Sequence, residues 1–175
     1  MPGADGRTQW QRVLDLLEKD PDSKRAVLSI YSGDELAVDD NPDVSCTIAA
    51  QLLLRDGHLH MSCYMRGNDA FMGLPSDLFS FTVLQELAAH ELGARLGSYT
   101  HHVGSMHVND ANAVNVARLL AEVGKADYEP PAFRFPTMPG DDLIESIRLV
   151  TQAEKALRVG NMAQTPDLVE ATGLH

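Results

Sequence analysis

Apolar residues fall at helical spacing over Trp10, Val13, Leu14 and Leu17, which predicts an amphipathic helix stopped by Asp20-Pro21-Asp22. A short β-prone run, Arg25 to Tyr31, follows, and then a polar loop through Gly33, Asp39, Asp40, Asn41 and Pro42 that delivers the chain to Cys46. Cys46 to Arg55 and His58 to Arg66 read as two strands joined by Asp56-Gly57, a pair that tolerates the positive φ angles of a tight hairpin turn. In the second strand Leu59, Met61, Cys63 and Met65 alternate with polar residues, which places Cys63 on the core face.

After the breaker Gly73-Leu74-Pro75, the residues Leu84, Leu87, Ala88, Leu92 and Leu96 predict a long helix that ends on Gly97 as its C-cap. Ser98 to Asn109 reads as a strand interrupted at Gly104. Ala113, Val116, Leu120 and Val123 mark a further helix closed by Gly124. Pro130, Pro131, Pro136 and Pro139 punctuate a linker ahead of a last helix with Leu143, Ile147, Val150 and Leu157 on one face. The expected organisation is a core over 1–126 and a divergent linker-plus-helix segment over 127–175.

Length and composition narrow the function. A chain of 175 residues with 44% hydrophobic content is long enough for one compact core. No stretch approaches the ~20 apolar residues of a membrane span, and the N-terminus lacks a basic, then apolar leader, so a soluble cytoplasmic protein is expected. A net charge of −11 argues against wrapping polymeric nucleic acid. It does not argue against a single nucleotide, whose phosphate needs only a few basic side chains. Two cysteines, Cys46 and Cys63, give neither a disulfide framework nor a zinc site. His58, His60, His101 and His102 lack Cys or carboxylate partners at ligand spacing, so no metal is expected.

Spacing alone leaves Cys46 as a free cysteine at a loop-to-strand junction, a place commonly filled by a small buried hydrophobe. The segment from Tyr64 to Pro75, with Arg66, two glycines and Asp69, is equally a candidate anion site or an ordinary polar connection. Taken in order, however, Asp20-Pro21-Asp22-Ser23-Lys24-Arg25, Cys46, Asp56-Gly57, Arg66-Gly67-Asn68-Asp69, Gly73-Leu74-Pro75, Gly104 and His107 resemble the motifs of thymidylate synthases and pyrimidine hydroxymethylases. The resemblance runs from about Gly6 to Asn109 and is expected to lapse beyond it.

The resemblance implies a chemistry. C5 of a pyrimidine is a poor nucleophile, and addition of a thiolate at C6 converts C5-C6 into an enamine that attacks a one-carbon electrophile. Cys46 resembles that thiolate, and a neighbouring cation such as Arg66 would favour the reactive form while holding the nucleotide phosphate. Lys24 and Arg25 fill positions that in the family reach the phosphate of the partner subunit, which implies a two-fold homodimer. Lysine at the first of them replaces a bidentate fork with a point charge. Asp69, Met72 and Gly73 resemble the wall that receives 5,10-methylenetetrahydrofolate, and His107 the sugar-binding histidine.

Asp77 stands where synthases carry an asparagine that reads uracil, and family members acting on cytosine carry aspartate there. A carboxylate can accept from the exocyclic amine of cytosine and share a proton with N3. The competing reading of Asp77 is a cap on the following helix. Asn109 replaces a tyrosine of the sugar pocket and leaves room for a 2′-hydroxyl, which makes CMP a candidate beside dCMP. Other departures are Ser45 and Thr47 beside the nucleophile, Met65 for a glutamine and Gly67 for a phosphate-binding serine.

The implied fold is α/β (α+β), a thymidylate synthase-like mixed sheet backed by helices and paired sheet to sheet in a homodimer. The implied activity is 5-hydroxymethylation of a cytidine monophosphate, which would suit nucleoside antibiotic biosynthesis or phage DNA modification. A divergent synthase acting on dUMP and a non-catalytic nucleotide-binding homologue are the alternatives. No counterpart is expected for the family's upstream segment, with its phosphate-loop arginine, catalytic glutamate and tyrosine.

Overall fold

The computed structural model describes residues 5–125, 127–129 and 143–160. The chain divides into two compact units, Met1–Ala126 and Asp127–His175. The first unit begins with α1 (Gln9–Lys19), entered through a capping box in which the Thr8 hydroxyl accepts from the Gln11 N–H and the Gln11 side chain accepts from the Thr8 N–H. The predicted stripe buries Val13, Leu14 and Leu17. Trp10 at the rim donates its indole N–H to Glu91, and the Gln9 amide makes two bonds to the Ser29 backbone.

Strands β1 (Val27–Ser29), β2 (Thr47–Arg55), β3 (His58–Met65) and β5 (Arg95–Val103) form a sheet in the order β1-β2-β3-β5. The first two pairings are antiparallel and β3 with β5 is parallel, so the sheet is mixed. Asp56 and Gly57 both take positive φ, 50° and 72°, as a hairpin turn matched to strand twist requires. A small second sheet pairs β4 (Asn68–Asp69) with β6 (Met106–His107), so the predicted strand Ser98 to Asn109 is two strands broken at Gly104.

Helix α2 (Gly73–Glu91) joins α1 on one face of the sheet, and their apolar residues close a single core with Ala50, Leu52, Leu59, Met61, Cys63 and Met65. The opposite face carries Ala49, Gln51, Ser62 and Tyr64, with Tyr64 stacked on His102 at 4.8 Å between ring centroids. Helix α3 (Ala113–Val123) follows β6 and has no buried residue. In the second unit α4 (Leu143–Arg158) carries Arg148–Glu145 and Arg158–Glu154 ion pairs. The Pro130–Pro139 linker lies outside the described residues.

Two boundaries differ from the sequence expectation. Helix α2 starts at Gly73, so Pro75 sits in its first turn, where the missing N–H costs no helical bond. It ends at Glu91, five residues before Leu96. Gly93 takes φ 60°, its N–H bonds the His90 carbonyl, and the Ala94 N–H bonds the Ala89 carbonyl at 2.8 Å, the paired pattern of a Schellman stop.

Gly97 therefore lies within β5, at a bulge opposite His60, and a Cβ there would stand 2.7 Å from the His60 ring. His60 Nδ1 accepts the Ser98 N–H at 3.0 Å, while the buried Gln85 amide donates toward the carbonyls of Leu59, Gly97 and Ser98. Gly97 is retained for close approach, and the helix signal ended one glycine earlier.

Leu52 has no exposed surface and belongs to the core shared by α1 and the sheet. Leu52→Ala should lower unfolding free energy by about 2–5 kcal/mol, read as a drop in urea midpoint with an unchanged slope.

Candidate functional site

Cys46 sits at a bend immediately before β2 with its side chain exposed, whereas Cys63 is fully buried. Burial first, and then the charge of Asp77, raises the Cys63 thiol above its ordinary value. Cys46 is thus the accessible thiol, which polarity patterning alone did not settle.

The loop carrying Cys46 is gripped from two sides. The Arg66 N–H donates to the Cys46 carbonyl at 2.9 Å, and the Arg66 guanidinium donates through Nε to Ser45 O at 2.9 Å and through Nη2 to Val44 O at 2.7 Å. Glu35 closes the other side, accepting the Ser45 N–H at 2.6 Å and the Ser45 hydroxyl at 3.0 Å. The Ser45 N–H first, then that of Ser32, holds the Glu35 carboxyl below the usual carboxylate range, with Arg66 adding a smaller pull.

Sequence reading passed over Glu35, although the signal was present as a capping box. Ser32 and Glu35 bracket a short 3-10 turn (Gly33–Ala37) inside what looked like plain polar loop. Arg66 also borders a cavity of about 560 Å3 whose other lining residues include Tyr31, Leu36, Val44 and Ile48.

Asp69 organises the second half of the site. Its Oδ1 accepts the N–H groups of Phe71 (2.7 Å) and Met72 (3.0 Å), and its Oδ2 accepts that of Asn109 (3.2 Å). The Met72 and Phe71 bonds hold this carboxyl below its ordinary range, helped by Asn109 and the charge of His107. Pairing of Asp69 with His107, and of the Ala70 N–H with the His107 carbonyl at 2.8 Å, brings Asp69, His107 and Asn109 together.

Met72 precedes α2 and is 59% exposed; a Cβ on Gly73 would lie 2.4 Å from Asn68 Oδ1, so that position accepts nothing larger. Gly67 is buried, and a Cβ there would make only ordinary contact with Ser105 O. Asp77 is the fifth residue of α2 and half-buried, beyond the reach of an N-cap; Asp69 binds the N–H groups entering the helix instead.

Lys24 and Arg25 do not join this group. Both are exposed ahead of β1, where the Gln51 amide donates to Lys24 O and the Leu52 N–H to Ala26 O. Gln51 is five residues along β2 from Cys46, a separation of roughly 15–20 Å. Arg25 instead contacts Asp20 and Ser23.

Among the described residues no group of three His, Cys, Asp or Glu side chains could hold a metal ion, and no helix is long and apolar enough to cross a membrane. His101 and His102 point to opposite faces of the sheet, as their neighbours Cys63 and Tyr64 do.

The chain thus combines a mixed sheet backed by helices with an exposed cysteine at a strand entrance and an arginine bonded to the carbonyls beside it. The thymidylate synthase family model matches residues 2–148, so the chain belongs to the thymidylate synthase family. The match carries the resemblance past Asn109, where the motif reading let it lapse. Membership brings a one-carbon methylene-transfer chemistry on a pyrimidine nucleotide, with methylenetetrahydrofolate as the family's one-carbon source.

The Glu35 clamp has a pH signature. A carboxyl held below its unfolded value contributes stability that is complete above the unfolded pKa, about 4.3 for glutamate, and is lost as pH falls through the folded value. Glu35→Gln should therefore lower Tm near pH 7 and narrow the gap to wild type as pH drops below about 4. A constant gap from pH 7 to pH 3 would refute the clamp.

Proposed function

We propose that the chain catalyses 5-hydroxymethylation of a cytidine monophosphate, CMP or dCMP. The observation carrying this reading is the pairing of the exposed Cys46 thiol with an Arg66 guanidinium bonded to the two carbonyls just ahead of it. Of the five guanidinium N–H donors, two are used in those bonds, and the remaining three are free to face a phosphate. Cys46 Sγ adds to C6 of the pyrimidine, and C5 becomes the nucleophile.

Methylenetetrahydrofolate supplies the one-carbon unit. The residues present fit such a ligand: the ionised Asp69 carboxylate keeps a lone pair on Oδ2 for an N–H donor of a pterin, and Met72 offers exposed apolar surface beside Gly73. Loss of the C5 proton and departure of tetrahydrofolate would leave an exocyclic methylene at C5; water would add there in place of hydride, and Cys46 would leave C6 to restore the ring.

The preference for cytosine rests on Asp77, whose carboxyl accepts from the exocyclic amine and, when protonated, donates to N3. His107 and Asn109, held on the Asp69 side of the site, face the sugar, and the short Asn109 amide leaves space for a 2′-hydroxyl. Gly67 follows Arg66 on the phosphate side.

Lys24 and Arg25 lie too far along the sheet to touch the phosphate held by Arg66 of their own chain. We assign them to the phosphate of a second copy in a two-fold homodimer, paired through the sheet face that α1 and α2 leave uncovered.

Incubation with methylenetetrahydrofolate and CMP, dCMP or dUMP, followed by mass spectrometry, should give a hydroxymethylated cytidylate that disappears in Cys46→Ala. A methylated uridylate would shift the assignment to a synthase, and no product would leave a binding protein. Asp77→Asn should move preference from cytosine toward uracil by a factor of about 5–150, the value of one unsatisfied buried partner, read as the ratio of kcat/KM values.

A further inference from the structure

Beneath the site runs a chain of polar side chains to which no role has yet been given. Asn68 is 3% exposed, and its Nδ2 lies 3.0 Å from His101 Nε2. His101 Nδ1 lies 2.7 Å from the Tyr99 hydroxyl, the two rings being tilted with centroids 5.9 Å apart. Tyr99 and His101 project from β5 on the α2 side of the sheet, in register with buried Met61 and Cys63. With the Asn68 amide donating, His101 Nε2 accepts and its ring proton sits on Nδ1, donating to the Tyr99 oxygen. The Tyr99 hydroxyl also hydrogen-bonds the buried Cys63 thiol.

One end of this chain is tied to α2. Asn68 Oδ1 packs so closely on Gly73 that a Cβ there would stand 2.4 Å away, and the Asn68 N–H is fixed on Ser105 O at 3.0 Å. Gly73 and Asp77 are four residues apart and share one face of the helix. The Tyr99 hydroxyl is raised above its ordinary value by burial first and then by the neighbouring Cys63 thiol, with Asp77 a smaller contribution. Gly73, Asn68, His101 and Tyr99 form one linked run, and Asp77 stands one turn along α2 from its Gly73 end.

Resting on the reading of Asp77 as the base-recognising residue, we propose that Asn68, His101 and Tyr99 are positioning residues for that recognition. Their hydrogen-bonded chain sets where the first turn of α2 lies, and so where the Asp77 carboxyl meets the edge of the base. Asn68 is buried, so its alternative is an unsatisfied amide rather than a water-bonded one, while His101 and Tyr99 are half-buried.

The test uses the full chain and the substitutions Tyr99→Phe, Asn68→Ala and His101→Asn, with CMP, dCMP, UMP and dUMP as ligands. Isothermal titration gives the cytosine-over-uracil affinity ratio for each protein, steady-state kinetics the KM and kcat, and thermal melting the fraction folded. Tyr99→Phe keeps the ring and removes only the hydroxyl, so it remains informative if the other variants fail to fold.

We expect the ratio to fall on the order of tenfold, with KM for the cytidylate rising and kcat changing less, in proteins that still melt cooperatively. A ratio unchanged in folded Tyr99→Phe and in any other folded variant would overturn the positioning role. A wild-type protein with no cytosine preference would overturn the reading of Asp77 itself, and is told apart because the variants are then not needed to see it.

Discussion

The Asp69 carboxylate spans two segments forty residues apart in sequence, receiving Phe71 and Met72 N–H groups with one oxygen and the Asn109 N–H with the other. Those bonds decide where α2 begins and where the strand after Gly104 turns away from the sheet. The Phe71 and Met72 N–H groups lie just ahead of α2, whose own N-cap residue, Met72, makes no side-chain cap bond. The segment leading into α2 and the His107–Asn109 segment are held together by that tether.

A second grip works on the nucleophile. Arg66, at the end of the long hairpin, spends two guanidinium N–H groups on the carbonyls of Val44 and Ser45, and Glu35 takes the Ser45 N–H from the opposite side. An exposed loop is ordinarily the mobile part of a fold, but these bonds fix the backbone on which Cys46 stands. The same arginine that fixes the loop keeps three donors toward solvent, so its structural and ligand-binding capacities do not compete.

Gly97 and Pro75, whose sequence contexts suggested other roles, show how local signals yield to packing. Gly97 has the context of a helix stop, yet Gly93 stops the helix through its left-handed backbone, and Gly97 is needed where the His60 ring crosses the β3–β5 bulge. Pro75 looked like a break before the helix and sits inside its first turn, where its lack of an N–H has no consequence. The core was more legible. The Leu59, Met61, Cys63 and Met65 alternation and the Val13, Leu14 and Leu17 stripe carry their burial in their spacing, and all seven are buried.

The sequence by itself determined the elements with strong periodicity, the hairpin turn at Asp56-Gly57, and the family to which the ordered motifs belong. These depend on neighbours a few residues apart or on residues fixed in order along the chain. Only the tertiary structure decided that Cys46 is the exposed thiol, that Glu35 and Arg66 hold its loop, and that Lys24 and Arg25 stand away from their own chain's site. It alone brought Asn68 to His101, and His101 to Tyr99. Such contacts join residues tens of positions apart, and their energy comes from burial and hydrogen-bond satisfaction, which no short window of sequence contains.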